Sequence, residues 1–206
     1  MRIILILFYF LSFTVANAQN WSVINADLNL SDSLTFPTEI RIYQGGGITN
    51  YNSVFRMYED GPNNWTAEFH EHWTKIDGVM DKKIAKRNIQ SKSDIEYVHL
   101  NIRRSYIYNL PSRKDIQWKL MQRGEIKKVE RFKRGKTIQE YDILSKVIMP
   151  LDGTGYYFQA KSPYESNEFE FGNPERFKEL YPEIDEPKYV CELIEIIRSE
   201  FGIWQK

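Results

Sequence analysis

Two histidines and a glutamate form the most suggestive chemical group in this chain. Glu68, His70 and His72 alternate in the stretch EFHEHW, each two residues after the last. On a β-strand such residues point to the same face, so their side chains would converge. Imidazole and carboxylate groups are common zinc ligands. The stretch therefore predicts a zinc site, in a metal-binding protein or a metal-dependent hydrolase.

A strand with one solvent-exposed polar face is the simpler explanation of the same stretch. Ala67 and Phe69 have the opposite parity and would form its apolar face. Zinc usually takes three or more protein ligands, and the remaining histidine, His99, belongs to a different predicted element. We therefore favour the exposed polar face and expect no bound cofactor.

Aromatic residues are abundant, with 13 tyrosines, 12 phenylalanines and 5 tryptophans. Aromatic side chains that line a concave sheet can hold an apolar or sugar ligand. They can also pack the hydrophobic core, and this second interpretation is the one we favour. The residues that would form such a ligand site are Tyr106, Tyr108, Tyr156, Tyr157 and Phe158.

The chain has no net charge, but its charges are unevenly distributed. Residues 75–136 hold eighteen basic and seven acidic side chains, whereas residues 137–206 hold seven basic and fourteen acidic ones. A basic block can bind an anionic partner, or it can face the acidic C-terminal part of its own fold, which we favour. No nucleic-acid-binding motif accompanies it, so the expected partners are a protein, a glycan or a small apolar ligand. The candidate anion-binding patch is Lys127, Lys128, Arg131, Lys133 and Arg134.

Signatures of catalysis are absent from the sequence. There is no Gly-x-Ser-x-Gly motif, and the single cysteine, Cys191, lies at the edge of an apolar helix face. The glycine run GGGIT at 45–49 lacks the lysine that a phosphate-binding loop of the Walker type needs. A permissive loop between strands explains the run, with a flexible lip over a ligand site as the alternative. We therefore predict a non-enzymatic binding or interaction protein.

Residues 1–18 have the pattern of a secretory signal peptide. Arg2 precedes an apolar run from Ile3 to Val15, and Ala16-Asn17-Ala18 has the small-x-small pattern of a cleavage site. The run is shorter than the roughly 20 residues that span a bilayer. We expect an exported, soluble protein, periplasmic or extracellular, whose residues 19–206 form one globular domain.

The periodicity of apolar residues predicts an α+β fold. Alternation of apolar and polar residues in EIRIYQ, with two further strand-like segments between turn residues, predicts an antiparallel meander. Residues 75–92 predict a loop with a short helix. A capping box at Ser93 and Glu96 begins a central helix, and a C-terminal helix carries one apolar face. We predict a twisted antiparallel sheet of about six to eight strands packed by these two helices. The predicted strands are 39–44, 51–59, 65–73, 126–132, 140–149, 155–161 and 167–172, and the predicted helices are 93–109, one that opens at Asn173-Pro174, and 187–201.

The C-terminal part of the chain, residues 151–202, resembles a group of uncharacterised exported bacterial proteins. The shared features are Asp152-Gly153 before a tyrosine-rich strand, Asn173-Pro174, Tyr181-Pro182-Glu183 and a C-terminal amphipathic helix. The strand EIRIY and the strand after it are similar as well. The resemblance implies a shared fold, and it assigns no activity and no functional residue.

Overall fold

The computed structural model describes residues 20–46, 49–147 and 153–205. The predicted signal peptide, residues 1–18, lies outside the described residues, and so does Asp152. Among the described helices, none has the length and apolar character needed to cross a lipid bilayer.

The described part of the chain contains four helices and eight strands, which confirms the predicted α+β class. In chain order they are α1 (Trp21–Asp27), β1 (Thr38–Gly45), β2 (Tyr51–Glu59), β3 (Trp65–Trp73), β4 (Lys83–Ile89), α2 (Ile95–Arg104), β5 (Met121–Lys133), β6 (Lys136–Val147), β7 (Gly155–Lys161), β8 (Ser166–Gly172), α3 (Pro174–Leu180) and α4 (Asp185–Phe201).

Six of the strands form one antiparallel sheet, in the order β4-β3-β2-β1-β7-β8. The first four follow one another as a meander, and β7 then pairs with the other side of β1, where Ile42 stands opposite Phe158. The remaining strands, β5 and β6, form a separate two-stranded ribbon, which we call the arm. The predicted strands therefore exist, but they do not all join one sheet.

The helices α2 and α4 cover one face of the six-stranded sheet. Alternate strand residues such as Ile42, Phe55 and Phe158 are fully buried there, in one cluster with Val98 of α2 and Leu193 of α4. Burying a side chain of this size contributes about 1.5–3 kcal/mol. This core therefore fixes the two helices against the sheet.

A second layer covers part of the opposite face of the sheet. Ile24 of α1 and Leu28 pack on Tyr43 and Val54 in a small apolar cluster. The loop that follows, residues 29–37, contributes backbone groups that bind charged residues of this face. Neither α1 nor this layer was predicted from the sequence.

The prediction of a loop with a short helix over residues 75–92 is wrong, because Lys83–Ile89 forms the edge strand β4. Ile89 is the only buried residue of this strand. An edge strand can be polar on both faces, and lysines there discourage pairing with other chains. The alternation that reveals an internal strand is therefore missing from β4.

The predicted capping box at the start of α2 is also wrong. The N-cap is Asp94, whose carboxylate accepts hydrogen bonds from the backbone N–H groups of Glu96 and Tyr97. Ser93 instead donates its N–H and its hydroxyl to the carboxylate of Glu200 in α4, at 2.9 and 3.0 Å. Ser93 thus joins α2 to α4, and the residue after it caps the helix.

Candidate functional site

A polar cleft of about 700 Å³ lies at one end of the six-stranded sheet, on the face that carries the helices. The ends of several strands, the start of α3 and the chain that follows α4 surround it. The residues that determine its chemistry are Tyr51, Glu71, Arg87, Asn173, Arg198 and Trp204.

Arg87 supplies a positive charge of the cleft that no carboxylate of the described residues neutralises. The strand register places it directly opposite Phe69, and its guanidinium carbon lies 5.0 Å from the centre of that ring. The side chain is exposed, and no carboxylate of the described residues pairs with it. A guanidinium stacked on a ring keeps its N–H edge available. Arg87 can therefore receive a carboxylate or phosphate from solution.

Arg198 stabilises the wall of the cleft. Its Nη2 donates to Glu175 Oε1 at 3.1 Å and to the hydroxyl of Tyr156 at 3.2 Å. Its Nε donates to the carbonyl oxygen of Trp204 at 3.0 Å, and the side chain is only 12% exposed. Because Glu175 partly neutralises it, Arg198 positions the C-terminal tail more than it attracts a ligand.

Trp204 forms an aromatic wall of the cleft and is held in place on several sides. Its ring meets those of Phe55, Phe69 and Tyr156 edge-on, and its indole N–H donates to Ser53 Oγ at 2.8 Å. Its backbone has a φ of 52°, which is an outlier for a bulky side chain. Such conformations persist only where the surroundings enforce them, and they are enriched at functional sites.

A second fixed polar pair lies beside Arg87. The hydroxyl of Tyr51 donates to Glu71 Oε1 at 3.0 Å. Burial, together with the neighbouring carboxylate of Glu71, raises the pKa of Tyr51 to about 12. Tyr51 therefore keeps its proton at neutral pH and holds Glu71 in one position.

Glycines form the lip of the cleft where β1 ends and β7 begins. A Cβ at Gly46 would lie 3.2 Å from the backbone nitrogen of Gly155, and one at Gly153 would lie 1.5 Å from Asn173 Oδ1. The φ angles of Gly46 and Gly153 are 104° and 155°, which glycine adopts far more readily than other residues. Three separate features of the sequence therefore meet at this lip. They are represented there by Gly46 of the run GGGIT, Gly153 of Asp152-Gly153 and Asn173 of Asn173-Pro174.

The prediction that His70 and His72 lie on a solvent-exposed face is wrong. The two residues are 1% and 2% exposed, because the N-terminal layer covers this side of the sheet. The predicted parity is correct, since Ala67 and Phe69 are buried in the core on the opposite face. The polar face of β3 is therefore an interior surface.

This interior surface contains a network of buried charges, which we call the charge layer: Glu39, Arg41, Arg56, Glu68 and His70. Arg56 donates to Glu39 at 2.8 Å and to Glu68 at 3.4 Å. His70 Nε2 lies 3.0 Å from Glu68 Oε2, and Lys86 adds a second cation at 2.8 Å from Glu68. His72 lies beside the layer, with its Nε2 2.8 Å from Asp27 Oδ2.

The three predicted zinc ligands thus share one buried face, but His70 is bonded to Glu68, Glu68 also binds Arg56 and Lys86, and His72 is bonded to Asp27. Within residues 20–46, 49–147 and 153–205, no group of three or more His, Cys, Asp or Glu side chains is arranged to hold a metal ion. His99 packs against Trp65, with ring centres 4.8 Å apart, in the helix-covered half of the molecule. Glu68 already pairs with Arg56 and Lys86 and is therefore a poor ligand for zinc. The zinc site itself stays a prediction.

The five predicted aromatic ligand residues do not share one surface. Tyr156 and Phe158 lie in the core beneath the helices, whereas Tyr157 faces the other side and stacks on Trp21 at 6.2 Å. Tyr108 is buried, and Tyr106 is half exposed beside Tyr189. They contribute mainly to packing, and of the five none lines the cleft.

The predicted anion-binding patch lies entirely on the arm and is exposed. Arg131 pairs with Glu140 and Asp142, Lys133 pairs with Glu140, and Lys127 pairs with Glu125. The arm's own carboxylates thus neutralise these three, and the patch does not pack against the acidic body of the molecule. Lys128 and Arg134 have no carboxylate partner among the described residues.

The residues that form the cleft were not predicted from the sequence. Arg87 is far in the sequence from Arg198 and Trp204, and the three have no motif spacing. Only the glycine run at 45–49, with its alternative interpretation as a lip over a ligand site, pointed to this region. Neither a protein-family model, nor a curated protein, nor a solved structure matches the chain.

Proposed function

We propose that the protein is an exported, non-enzymatic binding protein that holds a small anionic ligand in the cleft beside Arg87. The observation that carries the proposal is the stacked guanidinium of Arg87, which lies in a cleft of about 700 Å³ without a carboxylate partner among the described residues. The absence of a catalytic signature from the sequence favours binding over catalysis.

The chemistry of the cleft selects the class of ligand. Arg87, Arg176 and Arg198 give it three positive charges, against two negative charges from Glu71 and Glu175. Arg176 pairs with Glu179 outside the cleft lining, at 2.9 Å on the surface, where such a pair is weak. A carboxylate or phosphate group at Arg87, with an adjoining ring or chain against Trp204, fits this arrangement.

The test is the affinity of small anions in wild type and in an Arg87→Ala variant. Inorganic phosphate, citrate, glucuronate and neutral glucose form a suitable panel, measured by titration calorimetry. We expect an anion of this panel to bind and glucose not to bind. Removing Arg87 should weaken anion binding by about 10- to 100-fold, because a hydrogen bond to a charged group contributes about 1.5–3 kcal/mol.

Arg113 offers a matched control for this experiment. Its guanidinium carbon also lies over a phenylalanine ring, 5.6 Å from the centre of Phe177, but outside the cleft. Arg113→Ala should leave anion affinity unchanged. Equal losses in both variants, or no binding of any anion by the wild type, would contradict the proposal.

A metal-binding role centred on His70 and His72 is the second candidate. The Nδ1 atoms of both imidazoles and the Oδ1 atom of Asn52 are buried and have no hydrogen-bond partner within the part of the chain that the structure describes. Asn52 stands directly opposite His72 in the sheet. Three such atoms need a cation or an ordered water.

Thermal unfolding with zinc and with EDTA tests this second candidate. A zinc ion held by the native state would raise the unfolding midpoint by mass action, and EDTA would reverse the rise. The rise should disappear in His72→Gln, which removes the imidazole while keeping a polar side chain. An unchanged midpoint in the wild type would leave water as the partner of these atoms.

A further inference from the structure

The arm formed by β5 and β6 extends away from the rest of the molecule. Its strands have 13 and 12 residues, which corresponds to a length of roughly 40 Å. Neither of the two core clusters of the described chain includes a residue of the arm. A two-stranded hairpin in water is marginally stable unless something packs on it. The arm therefore has a surface available for a partner.

One face of the arm is apolar and exposed. Ile126 stands opposite Ile143, and Tyr141 and Phe132 lie on the same face. Their exposed fractions are 72%, 63%, 74% and 77% respectively. An exposed group of four large apolar side chains on one strand face is typical of an interaction site.

The acidic side chains of the arm lie mostly on its other face. Glu125, Glu140 and Asp142 form ion pairs there with Lys127, Arg131 and Lys133. On the apolar face the only acidic residue is Glu130, which accepts a hydrogen bond from Gln139. Cations without a described carboxylate partner remain on the apolar face and at the tip, namely Lys128, Arg134 and Lys136.

The tip of the arm carries an aromatic ring close to the turn that holds two of these cations. Arg134 and Gly135 have φ values of 51° and 77°, and they form the two-residue turn between the paired residues Lys133 and Lys136. Phe132 lies directly beside this turn. An exposed ring next to a turn that carries arginine and lysine matches the boundary between lipid headgroups and acyl chains.

We propose that the apolar face and the tip of the arm dock on the surface of an anionic lipid bilayer. The apolar side chains would enter the headgroup region, and Lys128, Arg134 and Lys136 would meet the lipid phosphates. Charge complementarity favours this partner over a second copy of the chain. The arm, residues 121–147, carries eight basic and four acidic side chains, so two arms face to face would repel each other.

Sedimentation of the purified protein with lipid vesicles tests the proposal. The intact mass of the purified protein establishes which residue is its N-terminus. The vesicles contain phosphatidylcholine alone or phosphatidylcholine mixed with phosphatidylglycerol. We expect binding to the mixed vesicles only, and weaker binding at high salt. Phe132→Ser should lower the binding at least about tenfold, because it removes a phenylalanine side chain that the bilayer would bury.

The charge contribution is tested with Arg134→Asn and Lys136→Gln. Asparagine is favoured at positive φ in two-residue hairpin turns, so Arg134→Asn removes a cation while preserving the turn. Each of these variants should bind mixed vesicles about fivefold more weakly. Tyr164→Ser and Lys178→Gln remove an exposed aromatic ring and an exposed cation from the body of the molecule, and they should bind as wild type does.

Two results would overturn the proposal. The first is the absence of binding to mixed vesicles, or a loss of binding that is equal in the arm and control variants. The second is a dimer, seen by light scattering, that Phe132→Ser dissociates while vesicles are not bound. That result would assign the apolar face to a second copy of the chain.

Discussion

Replacing Glu39 by glutamine should lower the free energy of unfolding by about 3–5 kcal/mol, the range measured when one partner of a buried ion pair is removed. Glu39 is completely buried. One of its carboxylate oxygens accepts hydrogen bonds from the Nε atoms of Arg41 and Arg56, at 2.7 and 2.8 Å. The other accepts from the backbone N–H groups of Thr35 and Phe36, at 2.6 and 2.9 Å. Urea-induced unfolding measures the change.

The physical reason for this effect is the charge that remains after the substitution. Burial alone would raise the pKa of Glu39, but the hydrogen bonds from Arg56 and Phe36 and the charges of both arginines lower it. The carboxylate is therefore ionised in the folded protein. A neutral amide would leave Arg41 without an ion-pair partner among the described residues and Arg56 with Glu68 alone. It would also turn an N–H₂ group toward one set of donors.

Glu165 provides the control for this prediction. It pairs with Arg103 at 3.2 Å, but both side chains are more than a third exposed. Glu165→Gln should change the free energy of unfolding by less than about 1 kcal/mol. If Glu39→Gln were equally mild, water would have access to the charge layer, and the layer would not be an interior surface in solution.

The strands around this layer were predictable because their side chains alternate strictly. EIRIYQ and WTAEFHEHW have period-two patterns, and the parity correctly placed Phe69 in the core and His70 on the other side. What parity cannot give is the environment of the second face. Here α1 and the loop 29–37 cover it, and α1, with only 7 residues, is too short for a periodic pattern to predict it.

The cleft could not be predicted for a different reason. Arg87 lies on the polar edge strand β4, and it reaches Phe69 only because β4 pairs with β3 in one specific register. Trp204 and Arg198 arrive from the other end of the chain, through the packing of α4 on the sheet. The site is formed by β4, α4 and the chain that follows α4, whose sequence patterns are unrelated. The topology of the fold brings them together, and the periodicity of the sequence does not specify this arrangement.

The free energy of unfolding should fall as the pH is lowered from 7 toward 5, at up to about 1.4 kcal/mol per pH unit for each buried imidazole that titrates. Burial lowers the pKa of His70 below its usual 6.5, despite the nearby Glu68, and the cations of Lys86 and Arg56 act in the same direction. Burial also lowers the pKa of His99, with a contribution from Arg103 that Glu59 opposes. Chemical denaturation at a series of pH values measures the slope.

The sign of this effect follows from proton binding in the two states. In the unfolded chain each imidazole takes up a proton as the pH falls through about 6.5, whereas the folded protein does so only at lower pH. The unfolded state therefore gains protons first and is favoured. Glu39 and Glu68 have lowered pKa values, so their contribution is present above about 4.5 and is lost only as the pH falls further. The loss of stability between pH 7 and 5 thus comes from imidazoles.

His99→Gln separates the imidazole contribution most directly. The Nε2 atom of His99 has no hydrogen-bond partner among the described residues, so the substitution removes a titrating group without breaking an ion pair. The slope between pH 7 and 5 should decrease in His99→Gln, while the loss of stability below about pH 4.5 stays as in wild type. His70→Gln should decrease the slope as well, but it also removes a partner of Glu68 and lowers the stability at every pH. An unchanged slope in both variants would mean that the two imidazoles are protonated equally in the folded and unfolded states, and that water reaches them through the layers that cover the sheet.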